Sequence, residues 1–238
     1  MNADPLSAAV PFYDLLHEDG HVLVLRELLP PLLAGVRHGV IEIGAGTGLI
    51  TEVIARSTPG EIYALEPSLG MRSVLLSRLA ADPGTRRRVT VLPCGALDAE
   101  VDGPVEAAVM ISVLQSFPAA ERAELWRVLA RQLRPGGRLV FNWRDRPTPV
   151  PGTLEPVGSY DVGRHTYEIA AQVLGVAGES VTSRFVYRVR QRGVVISEDE
   201  VVSTNHWPST GVLASELKES GFSWSPAPEG MQVWHLPG

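Results

Sequence analysis

Three glycines at alternate positions follow an apolar run near residue 40, and they form the part of the sequence best suited to hold a ligand. Residues 40–51 are VIEIGAGTGLIT, with Glu42 two positions before Gly44. Glycines after a buried strand let the backbone turn sharply and approach a ligand closely. A helix that follows such a turn directs free N–H groups and a partial positive charge at the same place. This pattern favours a site for a nucleotide-like ligand.

The spacing of the glycines separates two kinds of nucleotide site. A dinucleotide-binding loop has the pattern G-x-G-x-x-G. Counted from Gly44, its third glycine would fall at residue 49, which is Leu49, so the spacing here is G-x-G-x-G. A dinucleotide-dependent reductase is therefore disfavoured.

A second acid stands where the ribose of a nucleoside is normally bound. Glu66 follows a predicted strand at 61–65 and comes 20 residues after Gly46. A carboxylate at this place can accept hydrogen bonds from both ribose hydroxyls. NAD and S-adenosylmethionine (SAM) both have such a ribose, so Glu66 indicates a nucleoside without choosing between them.

Strands and helices alternate over the first 145 residues. Apolar runs bounded by turn residues predict strands, and helical periodicity predicts the segments between them. The predicted strands are 40–43, 61–65, 89–92, 105–114 and 138–143, and the predicted helices are 6–34, 49–57, 70–81 and 119–133. Such alternation implies a parallel sheet with helices on both faces, whose strands bring their carboxyl ends to one edge.

These features together resemble one family. The G-x-G-x-G loop with its preceding acid resembles motif I of the class I SAM-dependent methyltransferases, and LRPGGRLVFNW at 133–143 is similar to the family's fifth strand and the loop before it. The resemblance covers about residues 10–145. It implies a cofactor, SAM, that leaves as S-adenosylhomocysteine. It also implies the cofactor-binding residues Tyr13, Glu42, Gly44, Ala45, Gly46, Glu66, Pro67, Met71, Gly95, Ala96, Leu97, Ser112 and Val113.

The sequence departs from the family's pattern at two acids. Gly95 occupies the place of an acid that often holds the adenine, so we expect either Asp98 or the backbone to make that contact. Ala107 occupies the place of an acid early in the fourth strand, with Glu106 beside it. The asparagine- or aspartate-containing signature of nucleic-acid amino methyltransferases is absent.

The pattern changes after Arg146. Prolines and glycines from 147 to 158 predict an irregular connector, and three β-rich segments follow at 166–176, 181–191 and 194–206. A helix at 210–220 and a strand at 231–236 complete the chain. This layout is similar to that of the sugar N,N-dimethyltransferases of antibiotic pathways. We therefore predict an α/β protein with a Rossmann-like doubly wound sheet and a C-terminal antiparallel cap. Its parts are a SAM-binding core at 1–146, a cap at 147–209 for substrate or dimerisation, and a segment at 210–238 that completes the core.

The acceptor of the methyl group is expected to lie under the cap. A hydroxyl acceptor benefits from a nearby base such as histidine. We predict His165 and His206 of the cap as catalytic residues, and Tyr160, Tyr167, Asn142 and Trp143 as substrate contacts. His17 and His21 lie in N-terminal helices, which often close over the cofactor in the family, but each histidine could equally serve in packing. Tyr13 is expected either to meet the cofactor or to pack its helix.

Composition and charge exclude several other classes. There are 21 basic and 27 acidic side chains, which gives a net charge of −6 and argues against a nucleic-acid partner. A single cysteine, Cys94, cannot form an internal disulfide. We find no signal peptide, no membrane-spanning run and no group of residues with metal-ligand spacing, so we expect a cytoplasmic protein without a metal.

The sequence thus predicts a SAM-dependent methyltransferase that modifies an O or N atom of a small molecule, such as a secondary-metabolite intermediate. Two alternatives stay open. One is a SAM-retaining enzyme of the same fold that catalyses cyclisation or another non-methyl reaction, and the other is a non-catalytic nucleoside-binding subunit. The β-rich segment could also form the interface of a homodimer, because an exposed antiparallel edge favours pairing with a second copy.

Overall fold

The computed structural model describes residues 6–238, apart from the side chain of Asp19. Residues 1–5 of the predicted SAM-binding core (1–146) lie outside this range. The strands are β1 (Gly39–Ile43), β2 (Glu61–Leu65), β3 (Val89–Leu92), β4 (Val105–Met110), β5 (Leu133–Asn142), β6 (Glu155–Val162), β7 (His165–Ala177), β8 (Ser180–Gln191), β9 (Val194–His206), β10 (Ser223–Ser225) and β11 (Met231–His235). The α-helices are α1 (Val10–His17), α2 (Leu23–Leu32), α3 (Leu49–Ser57), α4 (Leu69–Ala81), α5 (Pro83–Arg86), α6 (Ala119–Gln132) and α7 (Thr210–Glu219).

Seven strands form the core sheet in the order β3-β2-β1-β4-β5-β11-β10. All neighbours pair in parallel except β11, which is antiparallel to both β5 and β10. β1 and β4 are buried along their whole length, as expected for parallel strands covered on both faces. Alternate residues serve opposite faces: Ile41 packs in the cluster that includes α6 and α7, and Val40 packs in the cluster that includes α2 and α3. The predicted doubly wound α/β fold is confirmed.

The cap is a separate antiparallel sheet of four strands in the order β6-β7-β8-β9. The sequence predicts three of these strands and assigns the first half of β6 to an irregular connector, which is wrong. Pro156 and Gly158 caused the error. β6 is an edge strand with a register shift between these two residues, and an edge strand tolerates a missing N–H and a bulge.

Other parts of the prediction also differ from the structure. β4 ends at Met110 instead of residue 114, because Ser112 adopts a left-handed backbone angle (φ 55°) and Leu114–Ser116 forms a 3-10 turn. The predicted turn at 134–137 lies within β5, where the register against β4 shifts between Val105 and Ala107. The short strand β10 was not predicted.

Helices α1 and α2 and the turn between them form one nearly continuous segment over the core, the N-terminal arm. The sequence predicts one helix over 6–34, and the structure has α1 and α2 joined by a π-helical turn, Glu18–Val22. No helix among residues 6–238 is long and apolar enough to cross a membrane.

A buried arginine connects the cap to the core. Arg122 of α6 has no exposed surface, and its guanidinium donates to Glu179 Oε1 at 2.7 Å and to Glu216 Oε1 at 2.9 Å. Glu179 lies in the turn between β7 and β8, and Glu216 lies in α7 and also accepts the indole N–H of Trp126 at 3.0 Å. The orientation of the cap therefore depends on a charge network anchored under α6.

Candidate active site

The glycine loop after β1 has the backbone shape that its sequence predicts. Gly44, Gly46 and Gly48 have φ angles of 71°, 58° and 91°, in a region of backbone conformation that residues other than glycine rarely adopt. A Cβ at Gly44 would lie 2.6 Å from the side chain of Val113. The loop therefore excludes side chains both by its backbone angles and by the close approach of the segment after β4.

Glu66 fixes the far side of this loop. Its carboxylate accepts the Gly46 N–H at Oε2 and the Ser68 N–H at Oε1, each at 2.8 Å, and the residue is 5% exposed. A carboxylate oxygen has two lone pairs, so an oxygen that accepts one N–H can also accept a ligand hydroxyl. Glu66 is thus positioned by two backbone groups and turned toward the cavity described below.

Helix α1 is fastened over the loop. Asp14 accepts hydrogen bonds from the Thr47 hydroxyl and from the Arg78 guanidinium, which joins α1 to the loop and to α4. The Tyr13 hydroxyl lies 3.6 Å from where a Cβ of Gly46 would be. Burial, together with the negative charge of Glu66, raises the pKa of Tyr13 to about 12, so Tyr13 is a neutral phenol at physiological pH.

Glu42 is a buried acid beneath the same loop. It is 2% exposed and accepts the Thr51 hydroxyl at 2.6 Å. Burial raises the pKa of Glu42 to about 8 although the Thr51 hydrogen bond opposes the change, and the charge of Glu66 adds to the increase. At neutral pH this carboxyl is therefore largely protonated and can donate a hydrogen bond as well as accept one.

A cavity of 390 Å³ lies between the glycine loop and the inner face of the cap. Its core side is formed by the loop, α1 and the segment after β4, and its cap side is formed by residues of all four cap strands, which alternate along β8 and β9. The cap residues in its wall are Val157, Ile169, Phe185, Tyr187, Val201, Ser203 and Asn205. Phe12 of α1 stacks against Tyr167 and Tyr187, with ring centroids 5.3 and 5.1 Å apart, and so seals one side.

Ser112 forms the junction between the core strands and α1. Its N–H donates to Asn142 Oδ1 at 2.7 Å, and its hydroxyl lies 2.9 Å from His21 Nε2. Its carbonyl accepts the Gln115 amide at 2.6 Å. A left-handed angle at a non-glycine residue is a strained conformation, of the kind that concentrates at functional sites. Asn142, a predicted substrate contact, is thereby used to hold Ser112.

Two histidines of the N-terminal arm are more closely associated with the cavity than those of the cap. Tyr13, His17 and His21 recur every four residues, and the ring of His17 lies 4.5 Å from that of Tyr13. His17 lines the main cavity. Burial lowers the pKa of both His17 and His21, with the positive charge of Arg146 acting further on His21, so both are neutral at pH 7. The four-residue spacing from Tyr13 was the available signal for His17.

The predicted cofactor residues divide into three groups. Seven of them line the main cavity: Tyr13, Gly44, Gly46, Glu66, Met71, Ser112 and Val113. Glu42 and Ala45 line a smaller cavity of 20 Å³ next to it. Pro67, Gly95, Ala96 and Leu97 line neither; Ala96 packs in the core, and Asp98 is exposed.

The predicted cap residues mostly lie away from the cavity. His206 lies on the opposite face of β9 from Ser203 and Asn205 because neighbouring residues of a strand alternate, and its ring contacts the Ser180 hydroxyl at 3.0 Å. His165 is at the far end of β7, opposite Gln191. Neither histidine lines the cavity, so their predicted catalytic role has no support from the geometry.

The remaining acceptor candidates take part in packing. Tyr160 is opposite Tyr167 in the cap sheet, and Tyr167 packs on Phe12. Trp143 donates its indole N–H to the Pro208 carbonyl at 3.1 Å and packs against the core. These contacts hold the cap and the N-terminal arm in place instead of reaching the cavity.

Glu106, the acid beside Ala107, belongs to the opposite edge of the sheet. Burial alone would raise its pKa, but N–H groups of Arg37 and His38 and the charge of Arg134 lower the pKa to about 2. It is a structural carboxylate. Burial raises the pKa of the Cys94 thiol, which makes Cys94 a poor nucleophile. Among residues 6–238, no group of three or more potential metal ligands lies together.

Comparison with known proteins identifies the central segment. Residues 41–139 match the model of a family described as "Methyltransferase domain". The matched segment contains the glycine loop and Glu66. The match agrees with the predicted resemblance to the class I SAM-dependent methyltransferases.

Several solved structures share the whole fold at low identity, and no curated protein matches the sequence. DesVI from Streptomyces venezuelae is 17% identical, with 97% of this chain and 98% of that chain covered and a TM-score of 0.77. The sugar N-methyltransferase KedS8 from Streptoalloteichus is 17% identical over 95% and 93% of the two chains, with a TM-score of 0.73. SAM-bound CalS10, an amino pentose methyltransferase from Micromonospora echinaspora, is 14% identical over 92% and 91%, with a TM-score of 0.71.

Proposed function

We propose that this methyltransferase domain transfers the methyl group of SAM to an amine nitrogen of a small sugar-like molecule. One observation supports the proposal most: one cavity is lined both by Glu66 and the glycine loop of the core and by the inner face of the cap. A donor bound at the core and an acceptor bound at the cap can therefore meet in one space, and holding the two in line favours methyl transfer.

The donor half of the cavity fits a nucleoside sulfonium. Glu66 offers its carboxylate to the ribose hydroxyls, and Gly44 and Gly46 leave room for the chain of the ligand to pass close to the backbone. Met71 lines the same cavity and supplies an apolar contact for the base in this proposal. Tyr13 lies over Gly46 and covers the ligand from the α1 side. SAM supplies a methyl group that is already activated, so the protein's task is positioning.

The acceptor half fits an amine. The nitrogen must present its lone pair, and the ammonium formed on methylation must lose a proton. His17 lines the cavity and is neutral at pH 7, so its imidazole can accept that proton. Among the described residues of the wall, no histidine is paired with a carboxylate, as activation of a hydroxyl would favour. The names of KedS8 and CalS10, which describe N-methylation of a sugar and an amino pentose as an acceptor, support the same choice.

The proposal is tested by binding and by product analysis. Calorimetry should show micromolar binding of S-adenosylhomocysteine and no binding of NADH. A panel of methyl aminodeoxyhexopyranosides should give products heavier by one methyl group, with the new carbon on nitrogen by NMR. A cofactor that binds without any methylated product, or a methyl group found on oxygen, would contradict the proposed reaction. The expected homodimer and the cytoplasmic location stay predictions.

A further inference from the structure

The smaller cavity next to the main one continues from His17 toward a second histidine. It has a volume of 20 Å³, and its wall includes six residues with polar side chains: Tyr13, His17, His21, Glu42, Thr47 and Ser112. Among the described residues of the two walls, His17 belongs to both and His21 to the smaller one. A cavity needs about 10–15 Å³ and two to four polar partners to hold a water molecule. The smaller cavity therefore has the size and the lining for one water.

The two histidines are placed for a water between them. Their ring centroids are 6.2 Å apart, which is too far for a direct hydrogen bond between the rings and close enough for one bridging water. The π-helical turn that joins α1 to α2 begins directly after His17 and contains His21, so this turn determines their separation. Turns of this kind inside helices are frequent at functional sites.

Ser112 and Asn142 orient the ring of His21. The Ser112 hydroxyl oxygen lies 2.9 Å from His21 Nε2 and accepts the Asn142 amide at 3.3 Å. A hydroxyl oxygen has two lone pairs, so it can also accept the Nε2–H of His21. In that tautomer, Nδ1 of His21 carries a lone pair and can accept a proton from a water in the smaller cavity.

Methyl transfer leaves a proton to be removed from the main cavity. An alkylamine with a pKa of about 10 is an ammonium ion at pH 7 and must lose a proton to be methylated, and a hydroxyl loses one in the same reaction. Burial raises the pKa of both Tyr13 and Tyr187, so these wall residues are neutral phenols. Glu66 belongs to the donor half, which leaves His17, among the described residues of the wall, as the base available to the acceptor.

We infer that His17, one water in the smaller cavity and His21 form a relay that carries the proton of the acceptor to the surface. An N–H bond of the His17 imidazolium breaks as an O–H bond of the water forms, and another O–H bond of the water breaks as the proton adds to Nδ1 of His21. The water is regenerated, and His21, which is partly exposed, releases the proton to solvent. His21 acts through His17 and does not touch the acceptor. The inference rests on the proposed function for methyl transfer in this cavity, but it applies to a nitrogen or an oxygen acceptor.

The charged and titratable groups around the pair favour release of the proton. Burial lowers the pKa of His17, a charge on His21 lowers it further, and Asp14 opposes the change. Burial also lowers the pKa of His21, and Arg146 adds to that effect, so a proton on His21 is held weakly. Glu42 is largely protonated at neutral pH and can donate a hydrogen bond to the water without retaining the proton.

Two substitutions interrupt the relay at different points. His21→Gln keeps a polar side chain beside Ser112 but removes the second base. Val22→Ile keeps both histidines and adds a methyl group to the wall of the smaller cavity, where Val22 is buried, so it displaces the water. Val24→Ile adds the same group at an exposed position of α2, and His38→Gln removes an exposed histidine, so these are the matched controls. Circular dichroism and binding of S-adenosylhomocysteine check that each variant is folded.

The rate experiment uses the methyl aminodeoxyhexopyranoside that turns over fastest, at pH 7, with imidazole added at increasing concentration. We expect His21→Gln and Val22→Ile each to lower kcat by about two- to fivefold, less than the usual contribution of a general base, with KM unchanged. Imidazole should restore the rate of His21→Gln because it accepts the proton in place of the missing side chain. A purely structural loss would not respond to imidazole. Both controls should keep the rate of the unaltered protein.

A second measurement does not depend on turnover. Proton and carbon NMR of histidine-labelled protein, in complex with S-adenosylhomocysteine, gives the pKa of His17 by titration. Because a charge on His21 lowers that pKa, we expect the pKa of His17 to rise in His21→Gln and to stay unchanged in His38→Gln.

Any of three results would overturn the relay: a full rate in His21→Gln or in folded Val22→Ile, a loss in His21→Gln that imidazole does not restore, or a pKa of His17 that is the same with and without His21. The proposed function fails separately. A methyl group found on oxygen would contradict N-methylation and leave the relay standing. If no glycoside is methylated, an unshifted pKa of His17 in His21→Gln overturns the relay on its own.

Discussion

The core and the cap contribute different kinds of group to the cavity that they share. On the core side, binding depends on backbone shape: three left-handed glycines, two N–H groups on Glu66 and a strained Ser112. On the cap side, flat antiparallel strands place ordinary side chains at alternate positions. Backbone-determined sites tolerate few substitutions, whereas a row of side chains on a strand can change without altering the fold. We therefore expect substitutions on the inner face of the cap to change the acceptor without changing the cofactor site.

The largest effect is expected from a variant that adds a side chain to the glycine loop. In Gly44→Ala, a left-handed angle costs roughly 1–2 kcal/mol, and the new Cβ would lie 2.6 Å from Val113. We expect the affinity for S-adenosylhomocysteine to fall at least hundredfold and the free energy of unfolding to fall as well. Gly103→Ala is the control, since its φ is 88° but nothing lies within 4 Å of its Cβ. Equal losses in both variants, measured by calorimetry and urea unfolding, would show that backbone angle alone matters.

Breaking the ion pairs of Arg122, which connect the core to the cap, should have the next largest effect. Arg122→Met leaves Glu179 and Glu216 without their shared cation, and breaking a buried ion pair costs about 3–5 kcal/mol. Both glutamates are partly exposed, with 27% and 20% of their side chains accessible, so we expect the lower end of that range. The exposed pair of Arg127 with Glu124 serves as the control, where Arg127→Met should change the free energy of unfolding by about 0.5 kcal/mol or less. Urea unfolding gives both values, and a small effect at Arg122 would mean that the cap is held by other contacts.

Glu66 tests the core side without a steric clash. A hydrogen bond to a charged group contributes about 1.5–3 kcal/mol, so Glu66→Ala should lower the affinity for S-adenosylhomocysteine at least tenfold. Glu61→Ala, at the exposed start of the same strand, should leave the affinity unchanged. If Glu66→Ala binds the ligand normally, Glu66 holds only the loop and does not bind the ribose.

The same contrast decides how much could be predicted from the sequence. Gly44, Gly46 and Glu66 were predictable because a backbone turn and a ribose contact require particular residue types at fixed spacing. In the cap, three of the four strands were predicted, but which face of each strand turns inward depends on how the sheet packs on α1. His206 and Ser203 could not be told apart on that basis. The strain at Ser112 and the pairing of β6 depend on long-range contacts that no local pattern records.

A substitution of His17, which lines the cavity between the core and the cap, should have the smallest effect on binding. His17→Gln keeps a polar side chain but removes the base, so we expect kcat for an amine acceptor to fall about tenfold, below the usual contribution of a general base because an amine needs little activation. The affinity for S-adenosylhomocysteine should stay within twofold.

Burial lowers the pKa of His17, so its neutral form persists below the ordinary histidine range. With the unaltered protein, kcat should rise with pH through that lowered pKa and reach its plateau at a lower pH than an ordinary histidine would give, and this step should be absent in His17→Gln. His38→Gln, whose side chain is 71% exposed, should keep both the rate and the profile. A profile that is unchanged in His17→Gln would show that water, not His17, takes the proton.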